Sequence, residues 1–167
     1  MFTDSNEDVI VTAGEYKVTL EKALRLSVIN IDGINMNPSV LSEGDDIYSN
    51  IIGNVTINAL GGNDSIENNA SFITILGGAD NDTINGGAND DIFIYKPGEG
   101  NDTIMDYSSG DMLQILGGTF SKSAFSNNTL TLTVGSGSVV FKNVTTSTEF
   151  NINGDSYAIS DNKLVKK

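Results

Sequence analysis

Residues 77–85 read Gly-Gly-Ala-Asp-Asn-Asp-Thr-Ile-Asn, and residues 86–94 read Gly-Gly-Ala-Asn-Asp-Asp-Ile-Phe-Ile. Each nine-residue unit opens on two glycines and has an aspartate at its sixth position and a large apolar residue at its eighth. Outward from this stretch the apolar position recurs every nine residues, and then once more after 11 residues, at Tyr48, Ile57, Ile66, Ile75, Ile84, Phe93 and Ile104. A period of nine fits neither an α-helix nor a simple hairpin, so the chain contains a structural repeat, and this repeat decides the fold.

The position two residues before each apolar residue alternates in its chemistry. It is occupied in turn by Asp46, Val55, Asp64, Ile73, Asp82, Asp91 and Asp102, so a carboxylate first recurs every 18 residues. Two units therefore form one coil, each unit contributing a turn and a short strand, and successive coils stack about 4.8 Å apart. We predict an all-β fold, a right-handed parallel β-roll flanked by small β-hairpin units.

The two edges of this roll are expected to differ. One edge stacks the aspartates at 46, 64, 82 and 102, whereas the other begins with Val55 and Ile73 and gains an aspartate only at Asp91. The turns of the second edge are rich in asparagine (Asn50, Asn54, Asn68 and Asn69), and we expect them to close through side-chain and backbone hydrogen bonds without a metal ion.

The segments on both sides of the repeat predict short strands. Residues 8–12 and 16–20 predict a hairpin, and a further strand is predicted near residues 27–31. A shift of 121 residues aligns residues 5–33 with residues 126–154 without a gap and with eight identities. We interpret the two as copies of one β-unit, and the chain as a piece of a longer protein. The predicted domains are an N-terminal β-hairpin unit at 1–41, the β-roll at 42–116 and a similar C-terminal unit at 117–167.

Composition excludes several classes of protein. The 167 residues include no cysteine and no histidine, which removes disulfides, thiolate and imidazole metal sites and the Ser-His-Asp triad. Thirteen of the 22 acidic residues lie between Glu43 and Asp111, where Lys96 is the one basic residue. Such a segment repels nucleic acid and anionic lipid and attracts small hard cations. We expect no nucleic-acid partner and no membrane span.

The two adjacent nonapeptides resemble the RTX (repeats-in-toxin, hemolysin-type calcium-binding) family, whose repeat is G-G-x-G-x-D-x-U-x. Weaker copies lie at residues 41–49, 59–67 and 97–105, so the resemblance covers about residues 41–115. It implies a non-catalytic calcium-binding module of a secreted bacterial protein. RTX proteins typically leave the cell unfolded by type I secretion and fold on binding extracellular calcium, so we expect this module to be disordered without calcium.

Physical chemistry supports the same ion. Aspartates stacked about 4.8 Å apart repel by roughly 1 kcal/mol per pair in water and by more in a protein, so the column requires a counter-ion. Calcium takes 6–8 oxygen ligands in flexible geometry, whereas magnesium needs a tighter octahedron. We expect about three ions on the aspartate edge, and a fourth on the other edge between Asp91 and residues 109–111 is an open alternative. The predicted metal-site residues are Asp46, Asp64, Asp82, Asp91, Asp102, Asp111, Gly44, Gly62, Gly78, Asp80, Gly87, Asn89, Gly98 and Gly100.

Other acidic residues are expected in solvent rather than at a metal, namely Glu43, Asp45, Glu67, Asp90, Glu99 and Asp106. Two alternative functions stay open. The duplicated β-units could present a surface to a glycan or a surface protein, as in a large adhesin. The roll could instead be a module appended to a secreted hydrolase. We predict no catalytic residues, no organic cofactor and a monomeric fragment.

Overall fold

The computed structural model describes residues 2–3, 9–13, 16–20, 29–31, 34–36 and 40–167. Throughout these residues the regular elements are β-strands, which confirms the predicted all-β class. The described part of the chain has no helix long and apolar enough to cross a membrane.

Five short strands precede the repeat: β1 (Phe2–Thr3), β2 (Val9–Ala13), β3 (Tyr16–Leu20), β4 (Ile29–Ile31) and β5 (Ile34–Met36). β1, β2 and β3 form a three-stranded antiparallel sheet, and β4 and β5 form a separate antiparallel pair. The pairing of β2 with β3 confirms the predicted hairpin.

The repeat forms eight strands that alternate between two sheets. They are β6 (Ile47–Asn50), β7 (Thr56–Asn58), β8 (Ser65–Asn68), β9 (Thr74–Leu76), β10 (Thr83–Asn85), β11 (Ile92–Tyr95), β12 (Asn101–Ile104) and β13 (Met112–Ile115). The even-numbered strands pair in parallel in one sheet, and the odd-numbered strands do so in the other. Each coil therefore contributes one strand to each sheet, which confirms the predicted parallel β-roll.

The strand register places the apolar column in the interior. Tyr48 pairs with Ile66, Ile66 with Ile84, and Ile84 with Ile104 in the first sheet. In the second sheet Ile57, Ile75, Phe93 and Leu113 pair in the same way. All of these side chains are at most 3% exposed. The core is thin, because a three- or four-residue strand turns only one or two side chains inward.

The C-terminal segment continues both sheets. Its strands are β14 (Lys122–Ser126), β15 (Thr129–Val134), β16 (Gly137–Phe141), β17 (Phe150–Ile152), β18 (Asp155–Ser160) and β19 (Lys163–Lys166). β16 pairs in parallel with β12, and β17 pairs in parallel with β13. The remaining strands add in antiparallel fashion outside them, so each sheet has seven strands. The predicted boundary at 116/117 lies in the connection between β13 and β14, and the division into domains stays a prediction.

An aromatic cluster joins the C-terminal strands to the last coil. The ring of Tyr107 stacks on Phe150 at a centroid distance of 5.1 Å and meets Phe141 edge-on at 4.8 Å. Its buried hydroxyl donates to the carbonyl oxygen of Asp111 and accepts a hydrogen bond from the backbone N–H of Asn151. Aromatic pairs of this kind add about 0.5–1.5 kcal/mol each beyond the area they bury. The cluster therefore supplies apolar packing that the roll itself has little of.

Close stacking of the turns makes Gly78 sensitive to substitution. Gly78 has a φ of 101°, and a Cβ placed there would lie 2.0 Å from the carbonyl oxygen of Leu60 in the preceding coil. Left-handed backbone costs an L-residue about 1–2 kcal/mol, and overpacking adds about 1–3 kcal/mol. We expect Gly78→Ala to lower the free energy of unfolding by at least about 2 kcal/mol in urea denaturation with excess calcium.

The matched control is Gly44→Ala, because the nearest atom to a Cβ at Gly44 is the Ser42 hydroxyl oxygen at 4.0 Å. This variant should unfold close to the wild-type urea midpoint. Equal midpoints for the two variants would contradict the stacking of turns described here.

Candidate metal centre

The turns between strands form two edges of the roll. The acidic edge consists of turns 41–46, 59–64, 77–82 and 96–102, which lead into the strands of the first sheet. The mixed edge consists of turns 50–55, 68–73, 86–91 and 106–111, which lead into the second sheet. Each turn of the acidic edge ends in an aspartate that is at most 8% exposed, at Asp46, Asp64, Asp82 and Asp102.

A hydrogen-bonded ladder holds the aspartates of the acidic edge in one column, as predicted. The backbone N–H of Asp46 donates to Oδ1 of Asp64 at 2.8 Å, and that of Asp64 donates to Oδ1 of Asp82 at 2.9 Å. The backbone N–H of Asp82 donates to Oδ1 of Asp102 at 3.2 Å. Oδ1 of Asp64, Asp82 and Asp102 therefore each connect two coils, and the second carboxylate oxygen of these three aspartates takes no part in the ladder.

Among the described residues, three buried carboxylate oxygens have no hydrogen-bond partner: Oδ2 of Asp64 and Asp82 on the acidic edge, and Oδ2 of Asp91 on the mixed edge. A buried carboxylate oxygen that lacks a partner costs several kcal/mol or is neutralised by a proton or a cation. Oδ2 of Asp82 faces the first glycine of its own turn, since a Cβ at Gly77 would lie 2.4 Å from it. Oδ2 of Asp91 faces Gly86 in the same way, at 3.1 Å. The partnerless oxygens of Asp82 and Asp91 thus point toward the first glycines of their own Gly-Gly turns.

Burial raises the pKa of these carboxyl groups. Loss of solvation is the main cause, and neighbouring carboxylates add to it. The pKa rises to about 7 at Asp64, about 6 at Asp82 and Asp91, and about 8 at Asp102. The pKa of Asp111 is also raised, mainly by burial. Without a counter-ion, these groups therefore keep their protons to a higher pH than a free aspartate does.

A metal ion at this edge would draw most of its ligands from the backbone. The described ranges of the chain contain no group of three or more acidic side chains placed to hold a metal by themselves. Calcium accepts backbone carbonyl oxygens together with carboxylates, so one or two aspartates with several turn carbonyls form a suitable donor set. The residues present therefore fit calcium, with Asp64, Asp82 and Asp91 as the side-chain ligands best placed to bind.

Five of the eight turns fall into two backbone classes that match this chemistry. The turns at 59–64, 77–82 and 86–91 each have left-handed residues at their second and fourth positions, which are Leu60 and Gly62, Gly78 and Asp80, and Gly87 and Asn89. The turns at 50–55 and 68–73 instead have one left-handed residue at the fifth position, Asn54 or Phe72. Each partnerless carboxylate oxygen belongs to a turn of the first class.

The mixed edge begins with an asparagine ladder instead of a carboxylate ladder. The side-chain amide of Asn50 donates to the carbonyl oxygen of Ile52 and to Oδ1 of Asn68, at 2.8 and 2.6 Å. The Asn68 amide donates to the carbonyl oxygens of Ala70 and Gly86. Asparagine is neutral and both donates and accepts, so this column needs no counter-ion. The prediction that Asn50 and Asn68 close these turns is confirmed.

Asp106 was expected in solvent, and that expectation is wrong. It is half-buried, and its carboxylate accepts hydrogen bonds from the backbone N–H groups of Gly86 and Gly87, at 2.8 and 2.6 Å. Asp106 occupies the position of Asn50 and Asn68 in its own coil, two residues after the apolar column. The asparagine column at this position was the signal that could have identified it.

A second polar ladder on the acidic edge was also missed. Oδ1 of Asp45 accepts from the backbone N–H of Asn63, and the side-chain oxygens of Asn63 and Asn81 accept in turn from Asn81 and Asn101. These hydrogen bonds lower the pKa of Asp45. The ladder is exposed, so it aligns successive turns without requiring a cation.

The remaining predicted site residues differ in their surroundings. Oδ2 of Asp46 already accepts from the N–H and hydroxyl of Ser42, and Oδ2 of Asp111 accepts from the N–H of Ser108. Gly98 and Gly100 have left-handed backbone in the longer turn at 96–102, whereas Gly44 does not. Asp46 and Asp111, the first and last aspartates, thus already have serine donors for one carboxylate oxygen. Metal ligation by any of the predicted site residues stays a prediction.

Comparisons with known proteins support the fold. Neither a protein-family model nor a curated protein matches the sequence. Among solved structures, the fold is similar to the crystal structure of the extracellular lipase LipA from Serratia marcescens, with a TM-score of 0.54 and 16% sequence identity. The similarity covers 83% of this chain but 24% of the lipase chain, so this chain spans about a quarter of that protein. At this identity the likeness shows a shared β-solenoid architecture.

The partnerless oxygens predict which aspartates bind calcium most strongly. Asp82→Asn keeps an oxygen for the ladder but replaces the charged Oδ2 with an amide. Loss of a contact to a charged group costs about 1.5–3 kcal/mol. Calorimetric titration should therefore show calcium affinity at that site lowered roughly 10- to 100-fold.

Asp46→Asn is the matched control, because Ser42 already satisfies Oδ2 of Asp46. It should lower calcium affinity less than Asp82→Asn does. A larger effect at Asp46 would contradict the assignment of the sites to the partnerless oxygens.

The raised pKa values predict how the calcium-free fold responds to pH. The unfolded pKa of aspartate is about 3.9. In the folded state the pKa values of Asp64, Asp82, Asp91 and Asp102 are about 6 to 8. The folded state therefore binds more protons, and its stability falls as pH rises from about 4 to 8. Urea denaturation in excess chelator should give a higher midpoint at pH 5 than at pH 8.

Saturating calcium should reverse this trend, because ligating carboxylates must be deprotonated and protons compete with the ion. The urea midpoint in calcium should then be lower at pH 5 than at pH 8. The same pH trend with and without calcium would show that the buried aspartates do not bind the ion.

Proposed function

We propose that residues 42–116 form a calcium-binding β-roll in a secreted protein, and that calcium binding stabilises its folded state. The observation that carries this proposal is the set of three buried, partnerless carboxylate oxygens. Each of them belongs to a turn with left-handed residues at its second and fourth positions. A cation in these turns would satisfy the oxygens and offset the repulsion along each edge.

The ligand set favours calcium over magnesium and zinc. The chain has no cysteine or histidine, which zinc prefers. Magnesium demands a near-ideal octahedron and retains several waters, whereas calcium accepts 6–8 carboxylate and carbonyl oxygens at variable angles. A stack of backbone turns joined by single carboxylates supplies ligands of the second kind.

The proposed ion count follows the two edges. Three gaps separate the four turns of the acidic edge, and they are closed by Asp64, Asp82 and Asp102. A fourth ion is proposed on the mixed edge at Asp91, beside the turn that ends in Asp111. The turns that contain Asn50 and Asn68 are proposed to bind none.

Calcium binding is proposed to supply free energy for folding. The segment from Glu43 to Asp111 carries 13 acidic residues against one basic residue, around a core one or two side chains wide. Charge repulsion opposes compaction in the absence of metal, and the binding free energy of the ions adds directly to stability. Extracellular calcium modules bind in the range of about 0.1–1 mM. A roll with this affinity would be unstable in a calcium-poor cytosol and stable outside the cell.

Circular dichroism during a calcium titration tests this proposal. In excess chelator the β-sheet signal should be reduced, and it should increase to a plateau as calcium reaches millimolar concentrations. Magnesium at the same concentration should produce little change. A full β-sheet spectrum in chelator that does not change with calcium would overturn calcium-dependent folding.

The likeness to part of an extracellular lipase supports a second, coarser proposal, that the roll is an accessory module within a larger secreted protein. The buried carboxylates described here are engaged in ladders at the roll edges, where they hold coils together. We therefore propose a non-catalytic role for this chain. An esterase assay on p-nitrophenyl esters should show no calcium-dependent turnover by the isolated chain.

A further inference from the structure

The two β-units that flank the roll have the same strand layout. Adding 121 to the residue numbers of the N-terminal strands β2, β3, β4 and β5 gives residues 130–134, 137–141, 150–152 and 155–157. These are the positions of β15, β16, β17 and the start of β18. The pairings coincide as well, since Val9 with Leu20 corresponds to Leu130 with Phe141. The pair Ile29 and Met36 likewise corresponds to Phe150 and Tyr157.

The two copies differ in what their inner strands contact. In the C-terminal copy, β16 and β17 each have a second partner, because they pair in parallel with β12 and β13 of the last coil. In the N-terminal copy, β3 and β4 are the last strands of their sheets within the described residues. Within the described residues, the backbone edges that join the C-terminal copy to a roll are therefore unpaired in the N-terminal copy.

The sequence of the N-terminal copy retains the apolar positions of a roll cap. Seven strand residues of the C-terminal copy are at most 2% exposed: Leu130, Leu132, Val134, Val139, Phe141, Phe150 and Ile152. Their counterparts 121 residues earlier are all apolar: Val9, Val11, Ala13, Val18, Leu20, Ile29 and Ile31. Apolar residues at all seven positions are typical of strands that pack against an apolar core, and in the C-terminal copy that core belongs to the roll.

We propose that the N-terminal unit is a cap whose partner is the last coil of another β-roll of the same kind. β3 would pair in parallel with a strand equivalent to β12, and β4 with a strand equivalent to β13. The chain's own last coil is not the partner, because β16 and β17 already occupy it. Its first coil lies at the opposite end of the stack, where β6 and β7 are the terminal strands of the two sheets.

One residue restricts the partner. Tyr16 stands at the position of Gly137, where a Cβ would lie 2.0 Å from the carbonyl oxygen of Gly100. The turn before the partner strand must therefore be more open than turn 96–102. The outer strand β1 also differs from β14 by one residue in its register with the next strand, but it lies two strands away from the proposed contact.

The amides that would bind the partner can be identified from the C-terminal copy. The backbone N–H groups of Ser138 and Lys142 donate to the carbonyl oxygens of Gly100 and Ile104 in the last coil. Amides alternate along a strand, so that of Val140 points the same way. Lys17 and Thr19 correspond to Ser138 and Val140, and their amides lie on the unpaired edge of β3.

A fused chain tests the proposal. Residues 40–121 are placed directly before residue 1 of the full chain, which reproduces the spacing between roll and cap because the offset is 121 residues. Both the fusion and the unfused chain carry Tyr16→Gly, which removes the restriction at that position. In excess calcium, hydrogen exchange at the Lys17 and Thr19 amides should be at least about 100-fold slower in the fusion than in the unfused chain.

Thr19→Pro provides the matched control. Proline removes one N–H from the unpaired edge and is tolerated on an edge strand. It should leave the unfused chain unchanged in thermal midpoint, and it should restore fast exchange at Lys17 in the fusion. Equal exchange rates at Lys17 in the fused and unfused chains would overturn the proposal. The experiment measures strand pairing, and its interpretation does not depend on which ion the roll binds. A negative result would therefore leave the calcium proposal intact.

Discussion

A column of buried carboxylates, one per coil, is the constraint on which the roll depends. In the ladder from Asp46 to Asp102, one carboxylate oxygen of Asp64, Asp82 and Asp102 accepts from the backbone N–H of the preceding aspartate and so connects two coils. Burial raises the pKa of these groups and leaves second oxygens at Asp64 and Asp82 without a partner. The arrangement that aligns the coils is therefore also the one that calls for a cation, and structure and function share the same side chains.

The mixed edge shows how the same coil can be closed without charge. Asn50 and Asn68 occupy the start of their turns and hydrogen-bond along the stack. Asp106 takes the equivalent place in the last coil and holds the N–H groups of Gly86 and Gly87. An amide ladder satisfies itself, whereas a carboxylate ladder needs donors or a metal ion. The proposed number of ions therefore depends on how many turns are closed by carboxylates and how many by asparagines.

The end of the roll depends on packing rather than on charge. The last coil of a roll has two strand edges and a thin apolar layer at its end. Unless other strands cover them, the edges can pair with another chain and the apolar layer is exposed to solvent. The C-terminal strands cover both edges at once, and Tyr107 connects them to the last coil through stacked rings and a buried hydroxyl. The unit at the N-terminus has the same strand layout, which is why we propose that it covers the end of a second roll.

The sequence by itself determined the repeat, the parallel β-roll and the column of apolar residues, because a nine-residue period with one inward residue per strand admits few other folds. It also indicated which edge carries aspartates. Only the tertiary structure distinguished Asp64, Asp82 and Asp91, whose second oxygens are partnerless, from Asp46 and Asp111, which serines satisfy. The role of Asp106 and the continuation of both sheets into the C-terminal strands were likewise decided by tertiary contacts, since Asp106 replaces the asparagine of its column and the C-terminal strands lie outside the nine-residue repeat.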